Sequence, residues 1–275
     1  MPLNFKIIHK NSLQLFFMNK EYRVKSPEDA EVIIQKLPCD MGIHRNPRKG
    51  TLDAPERILE GLEFGRSVMV DEVFPDEFDL EETHRRILEN TRALIEYNNS
   101  LISLGGDHSV SYPVVKALKQ KNPGLKLVWL DAHLDLKEKV DEQVSHDVVV
   151  RQLVEEGLFE PEDIYFVGIT EIDHDEEELL EENNFNFYRP EELEDFITEF
   201  EGEAYLSIDI DVLQENVAPG TGYPDGKLDL HQVLEVVQAF EPVHADIVEV
   251  APCLDREGKT VEASRKILEE LVERL

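Results

Sequence analysis

Three short clusters carry the residues whose types and spacing could do chemistry. Gly105-Gly106-Asp107-His108-Ser109 follows the apolar run Leu101–Leu104, Asp131-Ala132-His133-Leu134-Asp135 follows Leu127–Leu130, and Asp209-Ile210-Asp211 follows Tyr205–Ile208. Leaving Asp107 aside, they supply four carboxylates and two imidazoles. Carboxylates gathered so closely repel one another and resist ionisation unless a cation compensates them. Mixed His and Asp donors suit Mn, Fe, Co, Ni or Zn better than Ca or Mg. No cysteine belongs to the clusters, which disfavours a structural zinc site. The donors suffice for two metals sharing carboxylate bridges, ~3.5–4 Å apart, a pair that acidifies the water held between them. One Asp-x-His alone is weak, and a lone His after glycines is ordinarily a hydrogen-bonded loop residue; three clusters at three strand ends are much harder to dismiss. A serine nucleophile has less support, because Ser109 and His108 are adjacent and no third orienting group is evident.

The elements that must position these clusters are short β-rich runs alternating with amphipathic stretches. Strands are predicted over Glu31–Leu37, Ser67–Val73, Ser100–Leu104, Leu125–Leu130, Asp163–Ile169, Asn184–Tyr188, Glu203–Ile208 and Ala245–Val250. Most are continuous apolar runs, as in strands covered on both faces. Helices are predicted over Leu80–Tyr97, Val110–Lys121, His146–Glu156, Glu191–Phe200, Leu230–Phe240 and Val261–Leu275. The acidic run Asp173–Glu182 is expected to be a solvated helix. The alternation predicts a three-layer α/β/α fold around a mostly parallel central sheet of about eight strands. In such sheets ligands bind beyond the carboxyl ends of the strands, where all three clusters fall. Residues 1–275 are expected to form a single catalytic domain, with 1–25 an added N-terminal hairpin; no internal repeat or low-complexity linker is present.

Gly-Gly-Asp-His-Ser, Asp-Ala-His-x-Asp and Ser-x-Asp-x-Asp, in this order, resemble the arginase/agmatinase ureohydrolase family, most nearly its agmatinases. Asp40-Met41-Gly42, Asn46-Pro47, Gly50 and Pro55 look like the family's early loop. Ala218-Pro219-Gly220-Thr221-Gly222 and Val248-Glu249-Val250-Ala251-Pro252 look like its late ones. The joint pattern covers most of the chain and is highly specific. It implies two Mn²⁺ per chain, other divalent transition metals also being compatible. By resemblance His108, Asp131, Asp135 and Asp209 hold the first ion, and Asp131, His133, Asp209 and Asp211 the second, so that Asp131 and Asp209 bridge. Asp135 also passes a proton towards the leaving amine, His146 matches a mobile proton-shuttling or substrate-positioning histidine, and Glu249 matches a carboxylate that pairs with the guanidinium fork. The activity implied is hydrolysis of agmatine to putrescine and urea, a step in polyamine biosynthesis. A homotrimer or hexamer is implied by resemblance alone.

Specificity is less sharply drawn. Gln214-Glu215, Thr170-Glu171, Asp147 and Tyr223-Pro224-Asp225-Gly226-Lys227 depart from the family's usual residues on loops that could shape the substrate's tail. The stretch Leu136–Val144 lacks the Asn and Ser with which arginases grip an amino acid, which ranks arginase below agmatinase. Formimidoylglutamase stays open, since Gly42–Asn46 and Asp135-Leu136-Lys137 look faintly similar to its loops and a lysine there could meet a carboxylate. A non-catalytic regulatory or binding member is the rival of another class. The intact ligands, His146 and Glu249 argue against it.

Composition narrows the partners. The formal charge of −32 over 275 residues argues against nucleic acid, whose binding rests on Lys and Arg, and against an anionic membrane surface. It fits a highly solvated surface, as in a salt-rich cytoplasm, and is compatible with a cationic substrate. No apolar run approaches the ~20 residues of a membrane helix and no signal peptide is visible, so a soluble cytoplasmic protein is expected. Cys39 and Cys253 cannot make a disulfide framework and are expected to be reduced, buried and apolar in role. His9, His44, His84, His174, His231 and His244 lack ligand-like spacing and are expected on surfaces or loops, and Arg151 is expected to be structural. Gly258-Lys259-Thr260 lacks the first glycine of a phosphate loop, and no G-x-G-x-x-G follows the first strand, which speaks against nucleotides.

Overall fold

A computed structural model of the chain describes residues 23–43, 48–97, 99–240 and 242–275. Its strands are β1 (Arg23–Val24), β2 (Val32–Leu37), β3 (Val68–Glu72), β4 (Ser100–Gly105), β5 (Lys126–Leu130), β6 (Ile164–Val167), β7 (Asn186–Tyr188), β8 (Ala204–Asp209) and β9 (His244–Val248). All pair in parallel in one sheet, in the order β1-β3-β2-β4-β9-β8-β5-β6-β7. The described α-helices are α1 (Ala54–Leu59), α2 (Leu80–Ile95), α3 (Ser111–Lys121), α4 (Val149–Glu155), α5 (His174–Glu182), α6 (Leu193–Glu199), α7 (Leu230–Phe240) and α8 (Lys259–Arg274).

Successive strand side chains point to opposite faces, and this splits the core in two. Val32 and Ile34 of β2, Val128 and Leu130 of β5, and Leu206 and Ile208 of β8 pack with residues of α1, α6, α7 and α8. Ile33 and Leu37, Leu127 and Trp129, and Tyr205 pack on the other face with α2, α3 and α4. The helices answer with stripes of their own: α8 buries Val261, Ser264, Ile267, Leu268, Leu271 and Val272, the 3.6-residue period of one face. Each fully buried Val, Leu or Ile contributes roughly 1.5–3 kcal/mol. A start signal is visible at α2, where the Asp79 carboxylate accepts the Glu82 N–H at 3.0 Å.

All eight predicted strands are present, and the sheet is wholly parallel. β1 adds a two-residue ninth at the edge, beside β3. The hairpin expected over residues 1–25 lies almost entirely outside the described residues. The short α1 was not predicted, although Pro55 in its first turn and buried Ile58 and Leu59 mark it. No helix among the described residues is long and apolar enough to cross a membrane. Cys39 is buried as expected, whereas Cys253 is exposed, its thiol facing the Lys49 carbonyl at 3.4 Å.

Because the sheet is parallel, the carboxyl ends of β4, β9, β8 and β5 lie side by side on one edge. The chain leaves β4 through Gly106, where an added Cβ would lie 1.7 Å from the Cys39 carbonyl oxygen. Only glycine lets the two backbones meet there, with the Gly106 N–H donating to Leu37 O and the Asp107 N–H to Cys39 O, both at 2.9 Å.

Candidate metal centre

The edge gathers His108 after β4, Asp131, His133 and Asp135 after β5, Asp209 at the end of β8 with Asp211 just beyond, and Glu249 after β9. His108 Nδ1 lies 3.2 Å from Asp131 Oδ2, 3.3 Å from Asp135 Oδ2 and 3.2 Å from Asp209 Oδ2. His133 Nδ1 lies 3.4 Å from Asp131 Oδ1 and 3.1 Å from Asp211 Oδ2. Two groups of donors result, His108/Asp131/Asp209 and Asp131/His133/Asp211, each with its ligand atoms within 4.8 Å of one another. Asp131 belongs to both and turns one oxygen to each, as a bridging carboxylate would. Asp209 contributes Oδ2 to the first group, while its Oδ1 accepts the Asp211 N–H at 2.8 Å.

The supports of His108 fix which nitrogen faces the carboxylates. Its ring lies flat on Trp129, centroids 3.9 Å apart and planes within 3°. Nε2 is 2.8 Å from Ser207 Oγ, and that hydroxyl donates to Asp246 Oδ1 at 2.7 Å. Asp246 is fully buried and also accepts from the Ser111 and Tyr205 hydroxyls at 2.5 and 2.6 Å. With Ser207 committed to Asp246, His108 must donate through Nε2, which leaves Nδ1 facing three carboxylates and open to a metal once its proton is displaced. Both His108 Nδ1 and Asp131 Oδ2 are buried without a hydrogen-bond partner. Buried atoms that face one another this closely must hold a proton or a cation between them, so the donor set fits a metal.

The electrostatics agree. Two like charges 4 Å apart cost about 4 kcal/mol at an effective dielectric of 20. Burial, reinforced by neighbouring carboxylates, pushes Asp135 and Asp209 well above the usual range and Asp211 up to about 6. Burial works against charge on Asp131 too, but the imidazoles of His108 and His133 beside it outweigh that and hold it low. Burial likewise opposes protonation of His108, yet Asp131 and Asp135 raise it to about 9. The imidazoles thus keep protons that a divalent ion would displace.

Glu249 is 4% exposed, and its Oε1 accepts the His108 N–H at 2.8 Å and lies 3.7 Å from His146 Nδ1. Burial, with Asp209 and Asp107 nearby, drives its carboxyl well up. Asp135 and Glu249 both have positive φ, 52° and 60°, the left-handed region that side chains avoid. Such strain persists where surrounding structure demands it, and here it falls on two of the predicted site residues. His146 opens a 3-10 turn, His146–Val148, that leads into α4, and its N–H donates to Gly42 O at 3.3 Å.

His133, Asp135, His146, Asp209, Asp211 and Glu249 floor a cavity of about 350 Å³, whose wall adds Lys137, Asp147, Glu171, Asp173, Glu176, Tyr223 and Asp225. Tyr223 lies nearly parallel to His146 at 6.0 Å and edge-on to His133 at 5.7 Å. The departures noted at Asp147, Glu171 and Tyr223–Asp225 therefore lie at the cavity. Sequence reasoning missed Asp173 and Glu176. The acidic helix α5 is not wholly solvated: Glu176 is 3% exposed and accepts the N–H groups of Leu136 and Asp173 at 2.9 and 3.0 Å. Its spacing three residues after Asp173, a capping box, was the available signal. Ser207, Asp246 and Trp129 were missed as supports, although the serine opens Ser-x-Asp-x-Asp.

Arg151 is structural as expected, pairing with Glu155 at 2.8 Å and donating to Leu136 O at 3.4 Å. His244, half-buried at the start of β9, corrects the expectation of a surface or loop residue, and so does His84. His84 is buried on α2, its Nε2 3.3 Å from Ser109 Oγ, because that helix packs its inner face over the loop after β4. His9 and His44 lie outside the described residues.

A family model for the Arginase family matches residues 30–273. The chain belongs to the arginase family. Membership makes it a hydrolase of carbon–nitrogen bonds. It is 32% identical over 270 residues to an agmatinase of Bacillus anthracis, covering 89% of this chain and 92% of that one. It is 30% identical to a guanidinobutyrase of Pseudomonas aeruginosa, over 71% of this chain and 66% of the other. Among solved structures, a hypothetical agmatinase from Burkholderia thailandensis superposes with a TM-score of 0.78 at 25% identity, covering 91% of this chain and 86% of that one.

Proposed function

We propose that this arginase-family hydrolase cleaves agmatine with one water to putrescine and urea, using two divalent ions, manganese foremost. The acidic wall above the two donor groups carries the choice of substrate: Asp147, Glu171 and Asp225 line it, and Lys137, its only lysine or arginine among the described residues, is paired with Asp173. Such a wall attracts the ammonium at the far end of agmatine.

In this scheme His108, Asp131, Asp135 and Asp209 hold one ion, and Asp131, His133, Asp209 and Asp211 the other. When bound, the pair supplies Lewis acidity and lowers the pKa of water at the site. Glu249 orients the guanidinium by pairing with its planar fork, and the buried setting strengthens that pairing. Asp135 takes the proton of the attacking water and delivers it towards the leaving amine. His146, 3.7 Å from Glu249 at the cavity wall, exchanges protons with solvent. The whole chain works as one cytoplasmic catalytic unit.

The deciding experiment is a panel of agmatine, arginine, 4-guanidinobutyrate and formimidoylglutamate with the manganese-loaded protein, scoring urea, formamide and amine. Agmatine should lead arginine in kcat/KM by at least about tenfold, or 1.4 kcal/mol in transition-state binding. A preference for arginine, or formamide release, overturns the substrate and leaves the metal assignment standing.

A further inference from the structure

Lys137 and Asp173 are held together by more than their own charges. The lysine lies two residues beyond Asp135, and the aspartate immediately precedes α5. Their loops are joined by one buried carboxylate, since Glu176 accepts the N–H of Leu136, next to Lys137, and the N–H of Asp173 itself. The Lys137 N–H is further tied to Asp147 O at 3.1 Å. An exposed ion pair made by two free side chains is weak, because each must be ordered. Here the backbones are already stapled, so the Asp173 charge stays beside the lysine even when their contact loosens.

A cavity-wall lysine is the natural seat for a carboxylate at the far end of a guanidine substrate. Its compensation leaves Asp147, Glu171 and Asp225 to set the sign of the wall. We propose, on the basis of guanidine hydrolysis in this same cavity, that the Lys137–Asp173 pair is its charge filter: Asp173 masks Lys137 so that a distal ammonium is accepted and a distal carboxylate rejected. Removing the mask turns the wall towards guanidino acids.

The test compares kcat/KM for agmatine and 4-guanidinobutyrate in the manganese-loaded wild type, Asp173→Asn, Lys137→Met and the double variant. Asparagine still suits the residue preceding a helix, so Asp173→Asn should keep its melting temperature within a few degrees. It should lower the agmatine-to-guanidinobutyrate ratio by about tenfold or more, chiefly through a lower KM for the acid. Lys137→Met should raise the ratio, and in its background Asp173→Asn should change it less than about threefold. A folded Asp173→Asn with a ratio within twofold of wild type overturns the filter. So does an equal effect with and without Lys137, since Asp173 would then act on the substrate directly. Should Asp173→Asn fail to fold, Lys137→Met decides alone: a lowered ratio overturns the filter. A wild type preferring arginine to agmatine refutes the proposed substrate but leaves this ratio measurable, whereas one that hydrolyses no guanidine overturns both.

Discussion

Ser207→Ala tests whether the buried relay behind His108 governs metal affinity. The hydroxyl is the acceptor for His108 Nε2 at 2.8 Å and the donor to Asp246 Oδ1 at 2.7 Å. Alanine removes both bonds. Asp246 keeps the Ser111 and Tyr205 hydroxyls and the Ile208 N–H at 3.2 Å, so its charge remains well solvated by protein. His108 fares worse: it is 1% exposed, so its Nε2–H would be left buried without an acceptor, at roughly 1–3 kcal/mol. The metal-free ring escapes by giving up the Nε2 proton and keeping the one on Nδ1, where three carboxylates stand 3.2–3.3 Å away. That tautomer has no lone pair on the nitrogen that faces the metal site. The metal-free protein should therefore lose little stability, while manganese binding weakens 10–100-fold, or about 1.4–2.7 kcal/mol. Competition against a chelator at fixed pH reads the affinity, and thermal melts of the metal-free protein read the fold. A folded variant whose manganese affinity stays within twofold of wild type would refute the role given to this hydroxyl.

Asp131 turns an oxygen to each donor group, so Asp131→Asn should abolish most binding of both ions and nearly all activity; elemental analysis showing one ion still bound at wild-type affinity would count against the bridge. His146→Ala should keep both ions and lower kcat by roughly 10²–10⁴-fold, with partial rescue by added imidazole, whereas Glu249→Gln should raise KM as well as lower kcat; near-normal kinetics in both would end these two assignments. His244 gives a pH test away from the site. Its Nδ1 accepts the Leu101 N–H at 3.1 Å, and burial, aided by the Lys121 charge, holds its pKa down at about 4, against 6.5 when unfolded. The unfolded chain thus takes up the proton first, and stability present above pH 6.5 should fall as the pH drops to about 4, by at most roughly 3 kcal/mol from this residue. His244→Asn should flatten that segment of the melting-temperature profile, and an unchanged slope would show that another group carries it.

The sequence by itself determined the layers and which polar residues meet at the sheet's edge. A continuous apolar run of five or six residues bounded by polar turns reads as a strand covered on both faces, and a parallel sheet delivers the residues after such strands to one edge. That is why the gathering of His108, Asp131, His133, Asp135, Asp209 and Asp211 on one edge was legible from the sequence. Short α1 escaped because six residues scarcely show a helical period. The tertiary structure alone decided what depends on strand order and register. Glu249 meets the His108 N–H across 141 residues because β9 lies beside β4, and Ser207 meets His108 across 99 because Asp246 on the intervening β9 orients its hydroxyl. Glu176 looked like one more solvated acid until the fold buried it against Leu136, 40 residues away. Spacing along the chain encodes which residues share a turn or a face; which oxygen of Asp131 faces which imidazole, and which carboxylate masks Lys137, follows only from how the strands are laid side by side.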